Sequence, residues 1–286
     1  MQEIVPNVYI ETGYAGVTLG AINWPHGLVL IDAPFRPEDT RSWRSALLNL
    51  GGGVDRVLVQ LDAHPDRTLG AKGMECTVIG HEKMLQVFRN RPVNYRPPSV
   101  DTGAEWELHN NLGSVRWAPP EITFSDTMEI HWNQSPLLLE HHPGPEQGAI
   151  WVHLPDQHVL FVGDAVVAHQ PPILSQADLP AWIESLETLL HPEFQNYLIV
   201  GGRNGLVTLG QVRELLEFLV LVQSRLEELG STQANPEDVS QLAPELIQHF
   251  TIPNERYDQY LSRLKYGLQQ YFIRHYRPSA LQPEEE

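Results

Sequence analysis

The side chains best suited to chemistry lie in one short polar segment, residues 62–67, with the sequence Asp-Ala-His-Pro-Asp-Arg. It contains carboxylate and imidazole groups, and both types ligate metal ions. A histidine beside a carboxylate is also suited to act as a polarised base, so His64 and Asp66 are the candidate catalytic residues. Arg67 ends the segment and opposes metal binding, because a guanidinium stays protonated and offers only hydrogen-bond donors.

Polar residues also follow four other apolar stretches. They are Asp32 after residues 28–31, His142-Pro-Gly-Pro145 after residues 137–140, Gly163-Asp164 after residues 158–162, and Gly202-Arg203 after residues 197–200. In this order, and together with residues 62–67, they resemble the metallo-β-lactamase superfamily, whose signatures include H-x-H-x-D-H, P-G-H-T, G-D and P-G-H-G. The resemblance extends over residues 5–205. It implies an α/β fold, the four-layer αββα metallo-β-lactamase-like sandwich.

In that family the signature residues hold two metal ions. Carried over by position, the first ligand set becomes Asp62, His64 and Pro145, and the second becomes Asp66, Arg67, Asp164 and Arg203. A catalytic zinc normally has about three protein ligands, and neither set supplies them. We therefore predict that no metal or other cofactor binds. The predicted ligand pocket, or former metal site, comprises Asp62, His64, Asp66, Arg67, His142, Pro145, Asp164 and Arg203.

The substitutions also predict an ion-pair cluster. If the fold is correct, the carboxylates of Asp62, Asp66 and Asp164 converge at one edge of the sandwich and repel each other unless they are paired. Arg67 and Arg203 stand in two vacated ligand positions, and the planar guanidinium fork suits carboxylates. We predict that both arginines pair with Asp66 and Asp164. The other interpretation is that both arginines turn to solvent.

The function that these residues favour is that of a metal-free, non-hydrolytic member acting through ligand binding or assembly. Because arginine suits carboxylate and phosphate groups, we expect a small anionic ligand. The alternative is a hydrolase of an ester, thioester or lactone, with one zinc, iron or manganese ion held by Asp62, His64, His142 and Asp164. Two nearby guanidinium charges oppose that ion. No G-x-S-x-G segment offers a serine nucleophile instead.

The composition narrows the class of partner. A formal net charge of −17 disfavours nucleic acid, because the chain as a whole repels a polyanion. No apolar run reaches the roughly 18 residues that indicate a membrane span. A single cysteine, Cys76, and first residues that lack the regions of a signal peptide favour a cytoplasmic location.

The elements that position these residues change in character along the chain. Strands and helices are predicted over residues 1–205, including a strand at residues 16–19 and a proline-rich connection at residues 91–120. Wide apolar faces at helical spacing follow. We predict a metallo-β-lactamase-like domain over residues 1–205 and a C-terminal helical extension over residues 206–286. Two interpretations of the extension are open: its helices cover the cleft, or they mediate a homodimer.

Overall fold

Two β-sheets face each other, and helices cover the outer face of each. This computed structural model describes residues 1–96, 100–109, 112, 115–232 and 234–277. The core between the sheets contains Ile31 and Val59 of the first sheet and Val152 and Phe161 of the second. The predicted α/β sandwich with a helical C-terminal part is confirmed. Parts of two predicted segments lie outside the described residues. They are residues 97–99, 110–111 and 113–114 of the proline-rich connection and residues 233 and 278–286 of the helical extension.

The first sheet has seven strands in sequence order within the described part of the chain. They are β1 (Gln2–Val5), β2 (Val8–Glu11), β3 (Leu19–Asn23), β4 (Gly27–Ile31), β5 (Asp55–Val59), β6 (Thr77–His81) and β7 (Ile122–Phe124). Strands β1 to β4 pair antiparallel, and β4 to β7 pair parallel. Because β4 and β5 are parallel neighbours, the segments that follow them leave from the same edge of the sheet.

The second sheet has six strands in the described residues, in the order β13-β12-β11-β10-β9-β8. They are β8 (Thr127–Ile130), β9 (Leu137–His141), β10 (Ile150–Leu154), β11 (Val159–Gly163), β12 (Leu198–Gly201) and β13 (Gly205–Val207). Strands β11 and β12 are parallel, and the other pairs are antiparallel. The segments after β11 and β12 therefore also leave from one edge.

Four helices of the described residues lie between strands of the first sheet in the sequence. They are α1 (Pro37–Leu47), α2 (Pro65–Thr68), α3 (Ala71–Met74) and α4 (Glu82–Arg89). Helix α1 begins at a proline. Proline costs no hydrogen bond at this position, because the first N–H groups of a helix have no intrahelical partner. The helix buries Trp43 and Leu47 against Leu30 and Leu58 of the sheet.

The remaining helices cover the second sheet. They are α5 (Leu179–Leu189), α6 (Leu209–Ser231), α7 (Pro236–Val239), α8 (Ala243–Leu246) and α9 (Tyr257–Tyr276). Leu219 of α6 and Leu268 of α9 share one apolar core with Trp151 and Leu160 of the sheet. Among the described helices, none is long and apolar enough to cross a membrane.

The structure differs locally from the predicted strand near residue 16 and from the predicted division after residue 205. The strand predicted at residues 16–19 is wrong, because β3 begins only at Leu19 and continues to Asn23. The predicted division after residue 205 falls within β13, which pairs with β12. The division into two domains stays a prediction.

Candidate functional site

Four strand ends deliver the charged residues to one edge of the sandwich. Asp32 follows β4, and the segment 62–67 follows β5. Asp164 follows β11, and Arg203 follows β12. The parallel pairing within each sheet explains why residues distant in sequence meet here.

Arg67 is fully buried and pairs with three carboxylates. Its Nη1 donates to Asp32 Oδ2 at 3.0 Å, its Nε lies 3.0 Å from Asp62 Oδ1, and its Nη2 contacts Asp164. Nε and Nη2 lack well-aligned hydrogen bonds, so those two contacts are chiefly electrostatic. Burial alone would lower the pKa of Arg67, but these carboxylates outweigh it and hold that pKa well above its ordinary value. The guanidinium is therefore a permanent buried cation.

Arg203 joins the two loops from opposite sheets. Its Nη1 donates to Asp66 Oδ2 at 2.8 Å, and its Nη2 donates to Asp164 Oδ2 at 2.8 Å. Its Nε also donates to Asp164 at 3.1 Å, which completes a bidentate pair. Burial alone would raise the pKa of Asp164, but Arg203 and Arg67 hold it far below its ordinary value. A β-carbon at Gly202 would lie 2.5 Å from Asp164 Oδ1, so this position has no room for a side chain.

The predicted ion-pair cluster is confirmed, with different partners for Arg67. Arg203 binds both predicted carboxylates, whereas Arg67 binds Asp164 but not Asp66. Asp32 belongs to the cluster as well, although the sequence interpretation used it only as a strand-end signature. Asp32 follows β4, the parallel neighbour of β5, and this position in the sequence is what indicates that Asp32 lies in the cluster. We call Asp32, Asp62, Asp66, Asp164, Arg67 and Arg203 the ion-pair cluster.

His64 offers the pocket a hydrogen-bond donor, its Nε2–H group, and not a basic nitrogen. It caps α2, and its Nδ1 accepts the backbone N–H of Asp66 at 3.2 Å. Arg203 Nη2 lies 3.4 Å from the same nitrogen. Burial lowers the pKa of His64 to about 3, so the ring is neutral. Because donors occupy Nδ1, the ring proton resides on Nε2.

A pocket of about 150 Å³ lies over the ion-pair cluster. It is lined by the predicted residues Asp62, His64, Pro145 and Asp164, and also by Pro65, Arg91, Thr102, Ala104, Trp106, Glu146, Ile173, Ser175, Gln176 and Tyr266. Asp66, Arg67 and Arg203 are not on its wall and lie in the ion-pair cluster. His142 is not on the wall either, since its ring stacks on Trp151 at 3.6 Å.

Two wall residues that the sequence interpretation did not identify carry charge. Glu146 Oε2 accepts the backbone N–H of Ala63 at 2.9 Å. Burial and the neighbouring Asp62 raise the pKa of Glu146 to about 7, and burial likewise raises the pKa of Asp62. The Arg91 guanidinium lies over the rings of Phe88 and Trp117, at 4.9 and 4.5 Å from their centroids. No motif marks either residue, because only the folded chain brings them to the pocket.

Helix α9 and residues 102–106 form the outer wall. The backbone N–H of Trp106 donates to Asp66 Oδ1 at 2.9 Å. Arg263 of α9 is buried and donates to the carbonyl oxygen of Gly103 at 3.0 Å. Tyr266 of α9 lines the pocket directly. The interpretation that C-terminal helices cover the cleft is therefore confirmed for α9, and the homodimer stays a prediction.

Comparison with known proteins identifies the fold. A family model described as the metallo-beta-lactamase superfamily matches residues 76–200. The chain has the metallo-β-lactamase fold. A metallo-beta-lactamase family protein from Thermus thermophilus is 17% identical, with a TM-score of 0.66 over 97% of this chain and 95% of that one. A metallo-beta-lactamase from Pontibacter korlensis is 19% identical, with a TM-score of 0.60 over 76% of this chain and 97% of that one.

A third similar structure is a stereoselective inverting sec-alkylsulfatase from Pseudomonas sp.. It is 15% identical, with a TM-score of 0.67 over 99% of this chain and 52% of the sulfatase. At such identities the likeness to these structures shows the fold alone. A comparison with curated proteins found no match.

The two metal ions of the superfamily do not fit the residues present in this chain. Arg67 and Arg203 bind the carboxylates at the ligand positions, and Pro145 offers no donor atom where a histidine ligand is expected. In the described part of the chain, no three His, Cys, Asp or Glu side chains are arranged to hold a metal ion. The alternative set of Asp62, His64, His142 and Asp164 stays a prediction.

Proposed function

We propose that this protein is a metal-free, non-hydrolytic member of the metallo-β-lactamase superfamily that binds a small ligand with an acidic group in the pocket over the ion-pair cluster. One observation carries the proposal. The carboxylates of Asp62, Asp66 and Asp164, which stand at metal-ligand positions, are paired with the guanidinium groups of Arg67 and Arg203. Fixed cations within the protein thus take the electrostatic role that metal ions have in the family.

Electrostatics support the exclusion of a metal ion from this proposal. A divalent ion about 4 Å from one guanidinium meets a repulsion of about 8 kcal/mol at an effective dielectric constant of about 20. Two guanidinium groups lie in the cluster, and neither can lose its proton. Metal binding at the family's positions therefore requires both arginines to leave, which also removes the partner of the buried Asp32.

The ligand's acidic group has one suitable partner on the described pocket wall. Arg67 and Arg203 are already occupied by carboxylates, so the small anionic ligand predicted from these arginines requires another cation. Arg91 lies on the wall, and no carboxylate of the described residues is within 4.0 Å of it. Its position over two aromatic rings orders the guanidinium before a ligand arrives.

Binding is favoured over base catalysis because of His64. Its Nδ1 accepts hydrogen bonds, so its Nε2 carries the proton and cannot accept another one from a water. The side chain is suited to donate a hydrogen bond to a ligand oxygen. No step of hydrolysis is assigned to Asp66, whose carboxylate is held by Arg203 and the backbone of Trp106.

Metal analysis of purified protein tests the proposal. Protein expressed in metal-supplemented medium and purified without chelator should contain less than about 0.1 equivalent of zinc, iron or manganese per chain by plasma mass spectrometry. About one tightly held ion per chain, lost in Asp164→Asn, would favour the mononuclear hydrolase instead.

A variant with restored ligands provides the positive control. Substitution of histidine at Asp62, Arg67, Pro145 and Arg203 together should produce zinc uptake, because it rebuilds the ligand positions of the family. Circular dichroism establishes that this variant is folded. A folded variant without zinc uptake would contradict the assignment of the ligand positions.

A further inference from the structure

The pocket has unmatched hydrogen-bonding groups of both signs. On one side, the Nη1 atom of Arg91 is buried and has no hydrogen-bond partner among the described residues. The two aromatic rings beneath it, those of Phe88 and Trp117, offer a planar surface but no acceptor oxygen. A buried donor without a partner costs free energy, and the Arg91 side chain lines the pocket, so a ligand acceptor beside this guanidinium is favourable.

Carboxylate oxygens are unmatched elsewhere on the wall. Glu146 uses Oε2 for the N–H of Ala63, and no described residue donates to its Oε1. Asp62 uses Oδ1 for the N–H of His64 and for Arg67, and no described residue donates to its Oδ2. No cation of the described residues lies within 4.0 Å of Glu146. These oxygens are therefore open to a cationic donor.

The charge count around the pocket favours a ligand with both signs. On the described pocket wall, the carboxylates of Asp62, Asp164 and Glu146 outnumber the one guanidinium group, that of Arg91. A purely anionic ligand adds to this negative excess, whereas an ammonium group reduces it. A purely cationic ligand leaves the buried donor of Arg91 without a partner.

We propose that the pocket binds a small zwitterion of the α-amino acid class, with its carboxylate at Arg91 and its ammonium group between Asp62 and Glu146. This inference rests on the proposed function as a metal-free binding pocket. The volume of about 150 Å³ equals about five waters of liquid, which suits a small amino acid. Trp106, Ile173 and Tyr266 provide apolar wall for its carbon atoms.

Calorimetry with sets of three matched compounds tests the assignment. Each set comprises an L-α-amino acid, the deaminated carboxylic acid and the decarboxylated amine, titrated into the metal-analysed wild-type protein at pH 7.5. At least one amino acid should bind about tenfold or more tightly than both of its monofunctional analogues, because each analogue leaves one charged group of the pocket unmatched. Equal affinity for an amino acid and its deaminated acid overturns the zwitterion while leaving an anion-binding pocket intact. Absence of binding by every compound overturns it as well.

Two variants assign the two ends of the ligand. Arg91→Gln should weaken both the amino acid and the deaminated acid about tenfold or more, since it removes the carboxylate partner. Glu146→Gln should weaken the amino acid by a similar factor and leave the deaminated acid unchanged or tighter. The exposed residues Arg89 and Glu121 do not line the pocket, so Arg89→Gln and Glu121→Gln serve as matched controls. Equal weakening of all ligands by Glu146→Gln contradicts the ammonium position, whereas metal uptake by wild type contradicts the proposed function itself.

Discussion

Replacement of Arg67 by methionine tests the ion-pair cluster directly. The substitution keeps an unbranched side chain but removes the cation that contacts Asp32, Asp62 and Asp164. Removal of one partner from a buried ion pair typically costs about 3–5 kcal/mol. We expect a loss in this range at pH 7.5, which corresponds to a decrease in Tm of roughly 5–8 °C for a chain of this size.

The loss should depend on pH. Burial already raises the pKa of Asp32 to about 7, and removal of Arg67 raises it further. The stranded carboxylates of Arg67→Met can take up protons as the pH falls, which relieves their repulsion. At pH 5.5 the loss should therefore be about 1–2 kcal/mol smaller than at pH 7.5. In Arg67→Met/Asp32→Asn, one stranded charge is absent, and about 1–3 kcal/mol of the loss should return.

Urea unfolding monitored by tryptophan fluorescence measures these differences, since the chain contains 7 tryptophans. The matched control is Arg44→Met, because Arg44 pairs with Glu75 at 2.6 Å but its side chain is 37% exposed. An exposed pair contributes less than about 1 kcal/mol. The electrostatic reasoning fails if Arg67→Met loses no more stability than Arg44→Met. It fails equally if the loss is the same at pH 5.5 and pH 7.5.

Two further predictions concern the pocket wall. The pKa of Glu146 is about 4.5 in the unfolded chain and is raised to about 7 in the fold. The protonated side chain therefore stabilises the fold fully below pH 4.5, and this contribution is lost as the pH rises through about 7. As the pH rises from 5 to 8, Glu146→Gln should thus lose about 2 kcal/mol less stability than wild type. Thermal melts measure this difference, with Glu121→Gln as the control. Parallel curves of stability against pH for Glu146→Gln and wild type would refute the prediction. Arg263→Met removes hydrogen bonds to Gly103, Gln170 and Pro171, so it should cost about 3 kcal/mol and speed amide exchange in residues 102–106. Unchanged exchange there, relative to the exposed control Lys265→Met, would contradict a clamping role for α9.

The sequence predicts the middle of the fold better than its edges. The apolar runs of β4, β5 and β11 are marked by the polar residues that follow them, and these signals led directly to the ion-pair cluster. The sequence does not predict strands β1, β7 and β13, since each has only three or four residues and at least one exposed position. Such segments become strands because a neighbour offers hydrogen bonds, which is a property of the folded chain.

One glycine explains the error at β3. Gly20 lies inside this strand, although glycine weakens the pattern expected of a strand. A β-carbon at Gly20 would lie 2.7 Å from the ring of Phe161 in the opposite sheet. The residue thus allows a close approach between sheets, and this requirement is visible only after packing. The charged groups of Glu146 and Arg91 escaped prediction for the same reason, because tertiary contacts bring them to the pocket.

The sharing of charge in the ion-pair cluster has a consequence for how such a chain evolves. Arg67 serves Asp32, Asp62 and Asp164 together, and Arg203 also serves Asp164. A first substitution of either arginine by histidine strands buried carboxylates before a second metal ligand exists. Acquisition of a metal site by single substitutions therefore passes through destabilised intermediates, and selection for folding opposes it. Under the proposed function, a chain that holds both arginines changes the ligand of its pocket more readily than it acquires a metal ion.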